Sequence, residues 1–247
     1  MMKNSLIGNY CVFVMILLFM GTCIIPGMAQ NTEKSPISLR GNWLYVGGSG
    51  PGNYSRIQDA INDAATGDIV YVFDDSSPYY EDIYISKAIS LVGEDRKTTV
   101  IDGQNTPRFE LNGENIILRN LTIKKGNLNI LGKNILVKNI IIPGDPTVVY
   151  AINLYHCDRI KIFDCLIQGS TYGIFAWMCK HLDVQRNNFI DNYYNGNFFG
   201  GFQLSRWSRN YWDDWDGFGP YVIPGQFGIY LNWYNFDWHP AEDPYDI

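Results

Sequence analysis

Four segments of the chain repeat one pattern of apolar and polar positions: NIILRNLTI at 115–123, NILVKNIII at 134–142, RIKIFDCLI at 159–167 and HLDVQRNNFI at 181–190. Apolar residues alternate within each segment, as in Ile116, Leu118 and Ile123, or Ile160, Ile162 and Ile167. Period-2 alternation marks a strand with one buried face. Aligned on Leu118, Val137, Ile162 and Val184, the segments are spaced by 19, 25 and 22 residues. Each is preceded by a second alternating pair (Phe109/Leu111, Leu128/Ile130, Ile152/Leu154, Ile174/Ala176), and Phe202/Leu204 continues that series. Every repeat therefore predicts two or three short strands separated by Gly, Asn and Asp turns.

One such coil cannot bury its apolar face alone, so successive coils must stack. A period near 22 residues without a helical segment predicts a parallel β-helix, an all-β solenoid; a leucine-rich horseshoe would need a Leu-x-x-Leu-x-Leu frame that is absent. Stacking places Leu118, Val137, Ile162 and Val184 on one inward ladder and Leu111, Ile130, Leu154, Ala176 and Leu204 on another. Cys157 and Cys179 take equivalent turn positions in adjacent coils, about 4.8 Å apart by strand spacing, and read as a ladder of small buried residues in preference to a disulfide.

A stack has two open ends, and open edges invite aggregation. SRIQDAINDAAT at 55–66 predicts a capping helix: Ser55 and Gln58 form a capping box, Ile57, Ala60, Ile61 and Ala64 share one face, and Gly67 stops it. It is expected to lie across a first rung at Ile69–Phe73. Rungs then occupy 68–207, and an aromatic-rich cap occupies 208–247.

Before residue 30 the only charge is Lys3; an apolar run from Cys11 to Met20 follows it, and Gly27-Met28-Ala29 supplies small residues for a cut before Gln30. Residues 1–29 thus predict a removable secretory signal, too short for a stable membrane span, with 30–41 as a linker and 42–247 as the folded domain. Met20-Gly21-Thr22 lacks the Leu and the small residue that would make Cys23 a lipoprotein site. The remaining 18 basic and 25 acidic residues argue against a nucleic-acid partner. The three remaining cysteines, an odd number, are no disulfide framework. Asn53-Tyr54-Ser55 and Asn120-Leu121-Thr122 are formal glycosylation sequons.

The stretches YVGGSGPGNYSRIQDAINDAATGDIVYV and YYEDIYISKAISLVGEDRKTTVIDG resemble the opening of β-helix surface proteins of the pectin-lyase-like superfamily, in the branch named for the periplasmic copper-site maturation factor NosD. The tail NYWDDWDGFGPYVIPG…NFDWHPAEDPYDI resembles the closing segment of archaeal members of that branch. The resemblance implies a right-handed parallel β-helix and export to the cell surface. It implies no single function, since the family holds polysaccharide-cleaving enzymes and many non-enzymatic proteins.

Candidate chemistry is sparse. Polygalacturonase-type hydrolases combine Asn-Thr-Asp, Asp-Asp, Gly-His-Gly and Arg-Ile-Lys; only Arg159-Ile160-Lys161 is matched on the repeat strands, and Asp74-Asp75 and Asp213-Asp214 lie elsewhere. A lyase would need a base beside Ca²⁺ or Arg; Asp158, Asp164 and Asp183 with Arg159, Lys180 and Arg186 provide mixed charge that also describes a solvated flank. His156 and His181 are 25 residues apart, off one ladder, and few His or Met are present for copper handling. Asp213, Asp214 and Asp216 before Gly217 resemble the start of a Ca²⁺ loop without its bidentate Glu, so a structural Ca²⁺ is the only cofactor suggested; Trp212 and Trp215 favour packing instead. Alternation points Tyr155, Phe175 and Trp177 outward, with Tyr155 and Trp177 on adjacent rungs as a flat apolar strip on which sugar rings stack, unless the C-terminal tail covers it. The reading is a secreted or surface-displayed, non-enzymatic β-helix that contacts extracellular polysaccharide or a cell-envelope protein, with no membrane span in the mature chain. The alternative is a polysaccharide lyase or glycoside hydrolase.

Overall fold

The computed structural model describes residues 41–104, 108–145, 147–200, 205–228 and 231–247. These all belong to one compact unit, Leu39–Ile247. The signal segment at 1–29 and most of the linker lie outside the described residues, as do Phe202 and Leu204.

The chain coils into a parallel β-solenoid of about 7 turns. Its first strands are β1 (Trp43–Val46), β2 (Ile69–Val72), β3 (Ile83–Ile85), β4 (Ser90–Gly93), β5 (Val100–Asp102) and β6 (Arg108–Leu111). The middle coils hold β7 (Ile117–Lys124), β8 (Asn127–Ile130), β9 (Lys133–Ile142), β10 (Tyr150–Tyr155), β11 (Asp158–Phe163), β12 (Leu166–Gln168), β13 (Tyr172–Trp177) and β14 (Lys180–Gln185). The last are β15 (Asn188–Ile190), β16 (Tyr194–Phe199), β17 (Arg206–Ser208), β18 (Tyr211–Trp212), β19 (Tyr221–Phe227) and β20 (Leu231–Asp237).

Parallel pairing sorts them into three faces. The first runs β1–β2–β4–β7–β9–β11–β14–β17. The second runs β3–β6–β8–β10–β13–β16. The third takes β5, the second halves of β7 and β9, then β12, β15 and β18. Leu118, Val137, Ile162 and Val184 are in register on the first face and fully buried. On the second face Leu111, Ile130, Leu154 and Ala176 form the other ladder, and Phe198, not Leu204, takes the next position.

The repeated segment is not one straight strand. It bends between the first face and the third, and two left-handed residues mark the bends. Asn115, Asn134, Arg159 and His181 precede the four segments' first buried residues, with φ of 59°, 52°, 56° and 52°. Asn120, Asn139, Asp164 and Arg186 stand at the second corner, with φ of 60°, 57°, 53° and 55°. Asn and Asp tolerate this region because their short side chains bond locally. Along the stack those corners form ladders of their own: Asn139 Nδ2 donates to Asn120 Oδ1 at 3.0 Å, and Arg186 Nε to Asp164 Oδ1 at 2.9 Å. Cys157 and Cys179 are buried free thiols with sulfurs 2.7 Å apart, and their shared hydrogen bond, with burial, keeps the Cys157 proton on well above the ordinary thiol range.

The first end is closed differently from the expectation. The helix α1 spans Ile57–Asp63, with Ile57, Ala60 and Ile61 buried. Its N-cap is Arg56 and no capping box forms; instead the Glu81 carboxylate accepts the N–H groups of Ile57 (2.8 Å) and Gln58 (3.1 Å). Gly67 does not stop it: Ala64 is the C-cap, and Lys87 Nζ donates to the carbonyls of Ile61, Asn62 and Ala64. A carboxylate at the positive end and an ammonium at the negative end suit the helix dipole. The edge of β2 is taken by β1, while α1 packs against β1, β2 and β3. It caps β3: Gln58 Oε1 accepts the Tyr84 N–H and Gln58 Nε2 donates to the Tyr84 carbonyl, as a neighbouring strand would.

At the far end the tail closes all three faces. Gly225 and Gln226 of β19 pair with Phe198 and Phe199, Asp237 pairs with Trp207, and Ala241 bridges to Tyr211. Beneath it Phe189, Trp212 and Tyr221 stack face to face, with centroids 4.3 and 4.1 Å apart.

Candidate functional site

Alternation on the second face points Ile152, Leu154, Ile174 and Ala176 inward, fully buried, and their neighbours outward. Tyr155 is 45% exposed, while Phe175 and Trp177 are half-buried. Register sets Tyr155 beside Trp177 and Trp177 beside Phe199. Their ring centroids are 6.4 and 4.3 Å apart. A second column, not foreseen from sequence, runs Tyr150–Tyr172–Tyr194, with centroids 5.3 and 5.1 Å apart and planes 28° and 21° from parallel. Phe175 sits between the columns, 5.1 Å from Tyr150 and 6.4 Å from Trp177.

The flat strip expected from sequence is therefore corrected. A ring laid flat is wider than the rung spacing of about 4.8 Å, so successive rings tilt and overlap in offset stacks. Tyr155 and Tyr194 are exposed on this face, and Tyr150, Tyr172, Phe175, Trp177 and Phe199 are half-buried. The ring neighbours of Trp177 named above, Tyr155, Phe175 and Phe199, all belong to this face.

Between the columns lies a row of amides. Asn129, Asn153, Phe175 and Asn197 are in register. Asn127 Nδ2 and Asn153 Nδ2 both donate to Asn129 Oδ1, at 3.0 and 3.1 Å. No charged residue occurs in β8, β10, β13 or β16. The Tyr194 phenol is raised above its ordinary range, chiefly by the neighbouring Tyr193.

The other sequence candidates separate from this face. On the first face and its corner, Asp158 bonds His181 Nδ1 at 2.7 Å and pairs with Arg159 at 3.2 Å. Asp164 pairs with Arg186 at 2.9 Å and Lys138 at 3.5 Å, and Asp183 accepts from Gln185. The hydrogen bond from His181 holds Asp158 below the usual carboxylate range, the opposite of what a general base needs.

The aspartates proposed for Ca²⁺ accept hydrogen bonds, Asp213 and Asp214 sharing the Asn195 amide. Asp213 accepts from Asn195 Nδ2 and the Asp191 N–H; Asp214 accepts from Asn195 Nδ2 at 2.8 Å and Tyr221 hydroxyl at 3.2 Å; Asp216 accepts from Phe218 N–H at 3.1 Å. Among the described residues no group of three or more His, Cys, Asp or Glu is arranged to hold a metal ion. Nor, among them, is any helix long and apolar enough to cross a membrane. No family model and no curated protein matches the chain.

Proposed function

We propose that this protein is a secreted or surface-displayed, non-enzymatic β-solenoid that binds extracellular polysaccharide on its second face. The observation that carries the reading is the composition of that face from β8 to β16: two columns of stacked aromatics flanking a row of amides, with no charged residue in those strands. Asparagine amides and tyrosine hydroxyls donate to and accept from sugar hydroxyls, while ring edges and partial faces meet sugar C–H groups. The rungs repeat at a spacing similar to the length of one sugar residue in an extended chain. Several weak contacts then add along one polymer. The resemblance of the opening and closing segments to NosD-like, right-handed members of the pectin-lyase-like superfamily supports export and surface display. The carboxylates of the first-face flank, committed to partners on their own and neighbouring rungs, favour binding over cleavage.

The test is to incubate the chain with insoluble neutral and acidic polysaccharides, with and without Ca²⁺. Retention without new reducing ends or unsaturated uronates supports the proposal; either product replaces it with a hydrolase or a lyase.

A further inference from the structure

The tyrosine column ends at a cavity of about 560 Å³. Tyr194 is at once the last ring of the column and part of the cavity wall. Tyr193 stands at 90° to it, centroids 4.7 Å apart, so the two rings form an aromatic corner. Asp214, Asp216 and Tyr221 also line the cavity. The Tyr221 hydroxyl donates to Asp214 at 3.2 Å, and burial and the adjacent Asp214 push its phenol well above its ordinary range. A carboxylate has about four acceptor sites. The bonds from Asn195, Tyr221 and Phe218 leave Asp214 and Asp216 with free acceptor capacity among the described residues. No Lys, Arg or His lines the cavity among those residues.

We propose that this cavity is the terminal subsite of the aromatic face and holds an uncharged sugar residue, its adjacent hydroxyls donating to Asp214 and Asp216 and its C–H face resting on the Tyr193–Tyr194 corner. The inference rests on the glycan-binding reading and names the class of glycan. Charge decides the class. A uronate or sulfate ester would bring its anion against two carboxylates, beside strands β8, β10, β13 and β16 that hold no guanidinium or ammonium to receive it. Like charges brought together select against that ligand, modestly here because Asp214 and Asp216 are exposed. A neutral sugar supplies hydroxyl donors to the same carboxylates and avoids the repulsion.

Calorimetric titration of the full chain with cello-, manno- and xylo-oligosaccharides, with oligogalacturonides and with oligomers of glucosamine, all of matched length, tests this. One of the neutral series is expected to bind at least roughly tenfold more tightly than the galacturonides, a modest ratio for one like-charge contact. Asp216→Asn removes a charge from an exposed residue while keeping its shape. It should leave melting unchanged and narrow the neutral-to-acidic ratio severalfold. Galacturonides bound as tightly as neutral oligomers, glucosamine oligomers bound more tightly than either, or a ratio unmoved by Asp216→Asn would each overturn the subsite. Tyr172→Ala separates the two levels. Neutral binding that falls with Tyr172→Ala but ignores Asp216→Asn sinks the subsite and keeps the face. An absence of binding to every oligomer sinks both.

Discussion

Asp237→Ala should be among the most damaging single changes in the C-terminal cap. Asp237 is fully buried, and its carboxylate closes the stack by accepting five N–H groups. Oδ2 takes the Asn210 backbone at 2.9 Å, Asn210 Nδ2 at 3.1 Å and Trp212 Nε1 at 3.2 Å. Oδ1 takes the backbones of Arg209 at 3.1 Å and His239 at 3.0 Å. Asn210 in turn holds Asn187 through its own oxygen, so the carboxylate terminates a buried amide ladder that reaches back to the Ile162 carbonyl. Truncation leaves the three donors on Oδ2, which belong to the buried Asn210 and Trp212, without an acceptor. At roughly 1–3 kcal/mol for each such donor, less what water recovers by entering the vacated space, the cost is about 4 kcal/mol. For a domain of this size that corresponds to a fall in melting temperature on the order of 10 °C. Asp237→Asn keeps one oxygen, which can serve the three buried donors and forsake the two near the surface, so it should cost about 1–2 kcal/mol. Thermal and urea denaturation of both variants supply the measurement. An alanine variant that melts with the parent would show that the ladder does not end at this carboxylate.

Ile162→Asp would bury a charge between Val137 and Val184, its two rung neighbours, and should cost several kcal/mol or prevent folding; soluble expression with parental melting would contradict the ladder. Stability should also fall in alkali. Burial holds the Cys165 thiol up at about 12, against 9.0 in the unfolded chain, and burial likewise raises Tyr79 to about 12 from 10.0. A raised folded pKa leaves stability intact below the unfolded value and loses it as pH climbs towards the folded one. From about pH 9 upward Cys165 alone should contribute a loss of ~1.4 kcal/mol per pH unit, and urea titrations of Cys165→Ala should show a shallower decline. Equal slopes would remove Cys165 from the account.

The ladders of Leu118, Val137, Ile162 and Val184 were legible because apolar alternation reports which face of a strand is buried. The corners were legible only in part. Asn115, Asn120, Asn134 and Asn139 signal left-handed positions by residue type, whereas Arg159, His181 and Arg186 occupy the same corners with no such signal and follow only from register. The helix caps were misread because their partners are distant: Glu81 and Lys87 lie more than twenty positions from the groups they cap, while Ser55 and Gly67 offered nearer but unused solutions. Tyr155, Phe175 and Trp177 could be pointed outward from alternation alone. Their shingled packing could not, because it follows from ring width set against rung spacing. The Tyr150–Tyr172–Tyr194 column went unseen although it has the same 22-residue spacing, since each tyrosine stands at the start of its strand, outside the alternating pairs.

The binding face itself is tested most directly by Trp177→Ala, read for retention on polysaccharide and for melting on the same preparation. Trp177 stacks on Tyr155 and Phe199 at the outer surface of the second face. Its loss should weaken retention by on the order of 1–2 kcal/mol, roughly tenfold, while melting changes little. A Trp177→Ala protein that loses several degrees of melting temperature and still binds every polysaccharide as the parent does would make the aromatic columns packing, not a binding face, and would contradict the central claim.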